Sequence, residues 1–209
     1  MRRLRLNIAT TVLVAAGLLG ATPSDAQQAV SVYVGGLATP DWHGRESSDV
    51  LLNNLDFLSF DVRKFSGFTF GGEYLVGVGD YLEAGLGVGH YSQTVPSVYA
   101  DYVNANRAEI RQDLSLRMTP FSATVRVLPF GRTAVQPYVG GGVAIINWRY
   151  RESGEFVDFT DRSVFRDTFT ARGTAVGPTV LGGVRVPVGR AGVGFEVRWQ
   201  DAKIGRAHV

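Results

Sequence analysis

From Phe65 to Ser92 the chain reads FSGFTFGGEYLVGVGDYLEAGLGVGHYS, two alternating runs joined by a tight turn at Val78, Gly79 and Asp80. Side chains of a strand point to opposite faces with period two, so this reads as one β-hairpin. Phe68, Phe70, Gly72, Tyr74 and Val76 share a face with Leu82, Ala84, Leu86, Val88 and His90. The other face carries Thr69, Gly71, Glu73, Leu75, Glu83, Gly85, Gly87, Gly89 and Tyr91. In a soluble sandwich the apolar face turns inward, which leaves the glycines without a use. A membrane barrel inverts the arrangement: the apolar face meets lipid, and the narrow lumen holds glycine, tyrosine and mutually paired charges.

The 209 residues contain no internal linker, so one domain is expected. There are 26 glycines, spread through the alternating runs, which excludes a collagen or linker reading. Cysteine is absent, so disulfides, thiolate metal sites and cysteine nucleophiles are absent too. His43 and His208 are isolated, no acidic run has calcium-loop spacing, and neither a metal nor a cofactor is expected. Gly140 to Gly142 form no phosphate loop, because no helix follows them. The net charge of +2 rests on the N-terminus: without residues 1–26, basic and acidic side chains are equal in number, which argues against nucleic-acid binding.

Residues 1–26 have a basic start, an apolar run centred on Ile8 to Leu19, and small residues at Ser24 and Ala26. This is the pattern of a secretory signal peptide, with cleavage expected between Ala26 and Gln27. No later segment approaches the ~18 apolar residues of a spanning helix. A chain that enters a membrane without such helices must close its backbone hydrogen bonds in a barrel.

After the leader, strands are expected at Gln28–Thr39, in the two arms of the hairpin, and at Leu114–Leu128, Val135–Arg151, Thr174–Val188 and Gly192–Gln200. Three long polar segments, 40–64, 94–113 and 152–173, alternate with three short turns containing Gly79, Gly131 and Gly189, each beside a charged residue. The first segment has an apolar patch at Leu51, Leu52, Leu55, Phe57 and Leu58, read as a short helix on the rim; the ends of the third extend its flanking strands. Bacterial outer-membrane barrels show this asymmetry, with short periplasmic turns and long outer loops.

Extending the face assignment places Val125, Val127, Val139, Val143, Ile145, Val176, Val180, Val184, Val186, Val193, Phe195, Val197 and Trp199 toward lipid. Glu73, Glu83, Arg117, Arg126, Arg185, Glu196 and Arg198 are assigned to the lumen as a salt-bridge network, since unpaired charges there would be very costly. The apolar phase changes twice. In the fourth strand it passes from Leu114, Leu116 and Met118 to Ala123, Val125 and Val127, which predicts a bulge near Thr119–Ser122 marked by Pro120. In the fifth it changes between Ile145 and Ile146, which turns Trp148 and Tyr150 outward to join Tyr74, Tyr81 and Trp199 as interfacial aromatics. Pro137 and Pro178 predict local irregularity in their strands.

Taken together, the signal peptide, FTFGGEYLVGVGDYLEAGLGVGHY, QPYVGGGVAIINWRY and GVGFEVRWQDAK resemble the small eight-stranded outer-membrane barrels of the OmpA and OmpX type over nearly all of residues 28–203. The resemblance implies an all-β, up-and-down antiparallel transmembrane barrel in the cell outer membrane. It would be a monomer, folded by the barrel-assembly machinery and surrounded by outer-membrane lipid and lipopolysaccharide. The family ends in a strand with a terminal aromatic residue, whereas seven strands are visible here. The tail 204–209, IGRAHV, is read as non-native, following a barrel domain over 27–203 that lacks its eighth strand.

The function expected is structural or interactive, an anchor displaying outer loops, with a narrow pore as the alternative. His90 and Ser92 are similar to the His-x-Ser of outer-membrane lipid A deacylases, where Ser is the nucleophile and His the base. Gln93 stands where that pattern has Asn, so a polar interfacial position is the preferred reading and no enzyme is expected. The acidic residues of the first and third long segments are read chiefly as solvated loop charge, ahead of cation bridges to lipopolysaccharide.

Overall fold

The computed structural model describes residues 6–16 as backbone, together with residues 28–38, 58–104, 106–189 and 191–202. The remaining rim patch at Leu51, Leu52, Leu55 and Phe57, His43, His208, the expected cleavage site and the 204–209 tail lie outside the described residues. The strands are β1 (Leu6–Ala16), β2 (Gln28–Ala38), β3 (Leu58–Ser59), β4 (Gly67–Val78), β5 (Leu82–Val103), β6 (Glu109–Val127), β7 (Gln136–Val157), β8 (Val164–Val188) and β9 (Ala191–Ala202). No described helix is long and apolar enough to cross a membrane.

Every ladder is antiparallel and joins neighbours. The order β5-β4-β2-β1-β9-β8-β7-β6 returns to β5 through the β5–β6 pairing, so eight strands form a closed up-and-down barrel. β3 continues the wall beside β5 beyond the end of β4, pairing Leu58 with Tyr99. The place between β2 and β9 is taken by Leu6–Ala16, a segment whose sequence reads as part of a signal peptide: Leu13 is in register with Val34 on one side and Phe195 on the other. Gly79, Gly131 and Gly189 all adopt positive φ in the three short turns, a conformation that glycine reaches without a Cβ penalty.

The exterior is apolar through the middle of the wall. One cross-strand row reads Val88, Phe121, Ile145 and Val176, all exposed, and Leu86, Val125, Val139, Val180, Val197 and Trp199 are exposed with them. The interior is divided along the barrel axis. Toward the short-turn end it holds Glu73, Glu83, Ser122, Thr124, Arg126, Glu196 and Arg198; toward the long-loop end it holds Leu114, Leu116, Met118, Ile146, Trp148 and Tyr150, all buried.

This division corrects two sequence expectations. β6 has no bulge near Pro120: its register with β7 runs unbroken from Gln112 to Val127, and that with β5 is the same on both sides of Pro120. Phase is likewise continuous between Ile145 and Ile146, so Trp148 and Tyr150 point into the barrel, each 6% exposed, and are not girdle residues. Tyr74, Tyr81 and Trp199 do face outward. The pattern in the sequence changes phase because inside and outside exchange polarity at one level. Below Pro120 the lumen is polar and the outer face apolar; above it the lumen is apolar and the outer face carries Thr119 and Arg117.

Nor do Pro137 and Pro178 disturb the β7–β8 register. The β8–β9 ladder begins at Thr179, directly after Pro178, so the proline stands where β8 loses its second neighbour. Beyond this level β5, β6, β7 and β8, with 22, 19, 22 and 25 residues against 12 in β4 and β9, continue as a four-stranded sheet past the barrel. Most of the second and third polar segments is therefore strand. A register shift between Val98 and Val103 bends β5 at the tip, where Tyr102 meets Tyr99 and Phe159 edge-on, at 6.3 and 5.7 Å between centroids.

Candidate functional site: the closed lumen

The strands bring charged side chains to the barrel axis at two levels. Close to the short turns, Glu83 of β5 accepts from Arg185 Nη2 of β8 at 2.7 Å and from Arg132 Nη1 at 3.0 Å. Arg132 lies in the turn after β6 and also donates Nε to the Gly79 carbonyl at 3.3 Å, which ties two short turns together. Gln136 Oε1 takes Arg185 Nε at 3.1 Å. Arg185 thus binds a carboxylate and an amide at once, as its planar fork allows.

At mid-barrel, Glu73 of β4, Arg126 of β6 and Glu196 and Arg198 of β9 form a closed ring of alternating charge. Arg126 Nη2 pairs with Glu73 Oε2 and, at 2.9 Å, with Glu196 Oε2. Arg198 Nη2 pairs with Glu196 Oε1 at 2.8 Å and with Glu73 Oε2 at 3.3 Å. Thr124 Oγ1 donates to Glu73 Oε1 and Tyr138 Oη to Glu196 Oε2, both at 3.0 Å, while Arg198 Nη1 donates to Ser122 Oγ at 3.3 Å. The Arg126 guanidinium lies 4.9 Å from the centre of the Tyr138 ring. Two acids and two guanidiniums sum to no net charge, and the hydroxyls fill remaining acceptor capacity, the condition under which buried ions are tolerated.

The lumenal glycines make room for this ring. A Cβ on Gly85 would lie 2.7 Å from Glu73 Oε1 and 2.8 Å from Thr124 Oγ1, and one on Gly87 would lie 2.9 Å from Ser122 Oγ. Above the ring, Tyr91, Met118, Leu116, Ile146, Trp148 and Tyr150 fill the barrel, and the segment after β3 inserts Phe65, wholly buried, with Leu58 beside it. Tyr91 Oη donates to the Phe65 carbonyl and pins that insert to the wall. Between ring and apolar plug lies a cavity of about 30 Å³, bordered by Tyr33, Tyr91, Ser122, Ile146, Arg198 and Gln200, which has room for water.

Six of the seven residues assigned to the lumen are there: Glu73, Arg126, Glu196 and Arg198 in the ring, Glu83 and Arg185 below it. Arg117 is not. It is exposed on the outer face, because β6 keeps one phase throughout. Arg132, Gln136 and Tyr138 complete the network and were not anticipated, since a turn arginine and uncharged lumenal residues give no charge-pairing signal of their own. His90 and Ser92 face outward; the His90 ring packs on Phe70 at 5.4 Å between centroids, and no described carboxylate pairs with it.

No protein-family model matches the chain, and neither does any curated protein. Among solved structures it is similar to Ail, the attachment invasion locus protein of Yersinia pestis, with 8% identity and a TM-score of 0.25 over 98% of this chain and all of that one. A second Ail structure gives 9% identity and a TM-score of 0.23, with 98% of this chain and 100% of that one covered. The outer membrane protein OprG of Pseudomonas aeruginosa is similar with 10% identity and a TM-score of 0.30, over 97% of this chain and 96% of that one.

Proposed function

We propose that this chain is an exported outer-membrane β-barrel whose role is to anchor and display: the barrel fixes it in the membrane and the β5–β8 sheet stands outside as an interaction surface. The observation that carries this reading is the filled lumen. A neutral ring of ion pairs spans the barrel and an apolar plug lies above it, with a cavity of about 30 Å³ between them. The apolar exterior supports membrane insertion, since a contiguous exposed apolar belt in water would drive association. The four long strands support display, because they continue about a dozen residues past the Val88–Phe121–Ile145–Val176 row, on the order of 40 Å along the strand.

Reconstitution of the purified chain in planar lipid bilayers tests the reading. Membranes should show no current steps although the protein migrates anomalously on gels until boiled. Stable unitary conductance would replace the anchor with the pore.

A further inference from the structure

On the outer face, Arg117 of β6, Arg149 of β7 and Arg172 of β8 stand in one cross-strand row: Arg117 is directly opposite Arg149, and Arg149 directly opposite Arg172. All three are exposed, and none has an ion-pair partner among the described residues. Like charges directly opposite one another destabilise a sheet, so the row calls for an anion from outside the protein. Its position says which. One row toward the membrane lie Thr119, Asn147 and Thr174, and the row after that is the lipid-facing Phe121, Ile145 and Val176. The arginines therefore sit where the apolar belt ends on the long-loop side, at the depth of lipid headgroups. Together with Thr119, Asn147 and Thr174 they border an open depression of about 400 Å³. Adjacent strands lie ~4.8 Å apart, so the row spans roughly 10 Å, enough for more than one phosphate.

We infer that this row binds the phosphate groups of an anionic lipid of the outer leaflet, with the guanidinium forks on phosphate oxygens and the Thr119, Asn147 and Thr174 polar groups on the adjoining headgroup. Arginine suits the task because its fork matches phosphate bidentately and is always charged. Arg151, exposed one row farther out between Ser115 and Thr170, adds to the same positive field. The nearest outward acid on β6, Asp113, is four residues beyond Arg117. Bound lipid would hold the barrel at a fixed depth and tilt, which determines how the outer sheet is presented. The inference rests on the membrane-barrel reading, and the test separates the two.

Full-length chain folded in non-ionic detergent is titrated with bis-phosphorylated lipid A, with the same lipid after enzymatic dephosphorylation, and with inorganic phosphate, and adducts are counted by native mass spectrometry. The triple variant R117Q/R149Q/R172Q should bind phosphorylated lipid A about a hundredfold more weakly, at roughly tenfold or less per charge removed near a membrane surface. Both proteins should bind the dephosphorylated lipid equally poorly, and millimolar inorganic phosphate should not displace the phosphorylated one. The control R107Q/R162Q/R166Q, at the tip of the sheet, should retain binding. Equal binding by the triple variant, equal loss in the control, or displacement by inorganic phosphate would each overturn the site. Heat-dependent gel mobility is read on every protein, so failure to form a barrel shows itself separately.

Discussion

Arg185 Nη2 donates to Glu83 Oε1 at 2.7 Å across 102 residues of chain, and the same oxygen accepts from Arg132 Nη1 at 3.0 Å. One acid thus compensates two guanidiniums at the short-turn end of the barrel. Replacing it, Glu83→Ala, strands both, and breaking a buried pair from one side costs about 3–5 kcal/mol. Urea unfolding of the lipid-reconstituted barrel should lose about that much, while Arg132→Gln, which leaves the Glu83–Arg185 pair in place, should lose less.

The mid-barrel ring predicts non-additivity. Arg126→Met leaves Glu73 and Glu196 short of a counter-charge, and Glu73→Gln leaves Arg126 and Arg198 in excess. The double variant keeps the Glu196–Arg198 pair intact and neutral. It should therefore be more stable than the sum of the single losses, with a coupling of about 0.5–3 kcal/mol in a double-mutant cycle. Strict additivity would mean that the four groups do not act as one ring.

How far the sequence could be read follows from the same wall. The hairpin faces were legible because Glu73 and Glu83 interrupt an otherwise apolar and glycine-rich alternation, and the lumenal acids implied lumenal arginines on β6, β8 and β9. Arg117, Trp148 and Tyr150 were misplaced by a rule that equated polar with inside. That rule holds only where the outer face is apolar. Above Pro120 the outer face turns polar while the interior becomes an apolar core, so the pattern inverts with no change in backbone geometry. A bulge and a polarity exchange leave the same mark in one sequence, and only the register distinguishes them. Arg132 stands next to Gly131 in a short turn, but its reach to Glu83 depends on two turns meeting in space.

The apolar plug predicts a further separation of stability from permeation. Trp148→Ala removes a large buried ring from the upper lumen, which costs about 3–5 kcal/mol for a fully packed aromatic. The ion-pair ring below is untouched, so bilayers containing the variant should remain non-conducting. Current through Trp148→Ala would show that the plug alone closes the barrel.

At the outer sheet, Glu155 accepts hydrogen bonds from Asn104 Nδ2 and Arg166 Nη2, each at 3.3 Å, and these hold its carboxyl below the usual glutamate range. A depressed pKa means that the tie is fully made above the unfolded-state value and is lost as pH falls through the folded one. The contacts between the β5–β6 and β7–β8 tips should therefore survive at mildly acid pH and release only below the ordinary carboxylate range. Carbon-detected titration of the Glu155 carboxyl should show this depressed midpoint, and Arg166→Gln should raise it toward normal.

The seam between β2 and β9 is one strand wide. Leu13 stands between Val34 and Phe195, so their Cα atoms are separated by two interstrand steps, roughly 9.6 Å. A disulfide needs its Cα atoms within about 7 Å, so cysteines at these positions cannot bridge while any strand lies between them. This makes V34C/F195C a gauge of the seam once residues 1–26 are removed by the expected cleavage. A barrel that keeps eight strands by admitting another strand leaves the two thiols free in oxidising buffer. A wall that contracts to seven brings Val34 and Phe195 onto neighbouring strands and lets them cross-link. We expect free thiols in outer-membrane preparations that start at Gln27, because the Glu73–Arg126–Glu196–Arg198 pairs are made across an eight-strand lumen, whose diameter follows strand number, and contraction to seven would displace them.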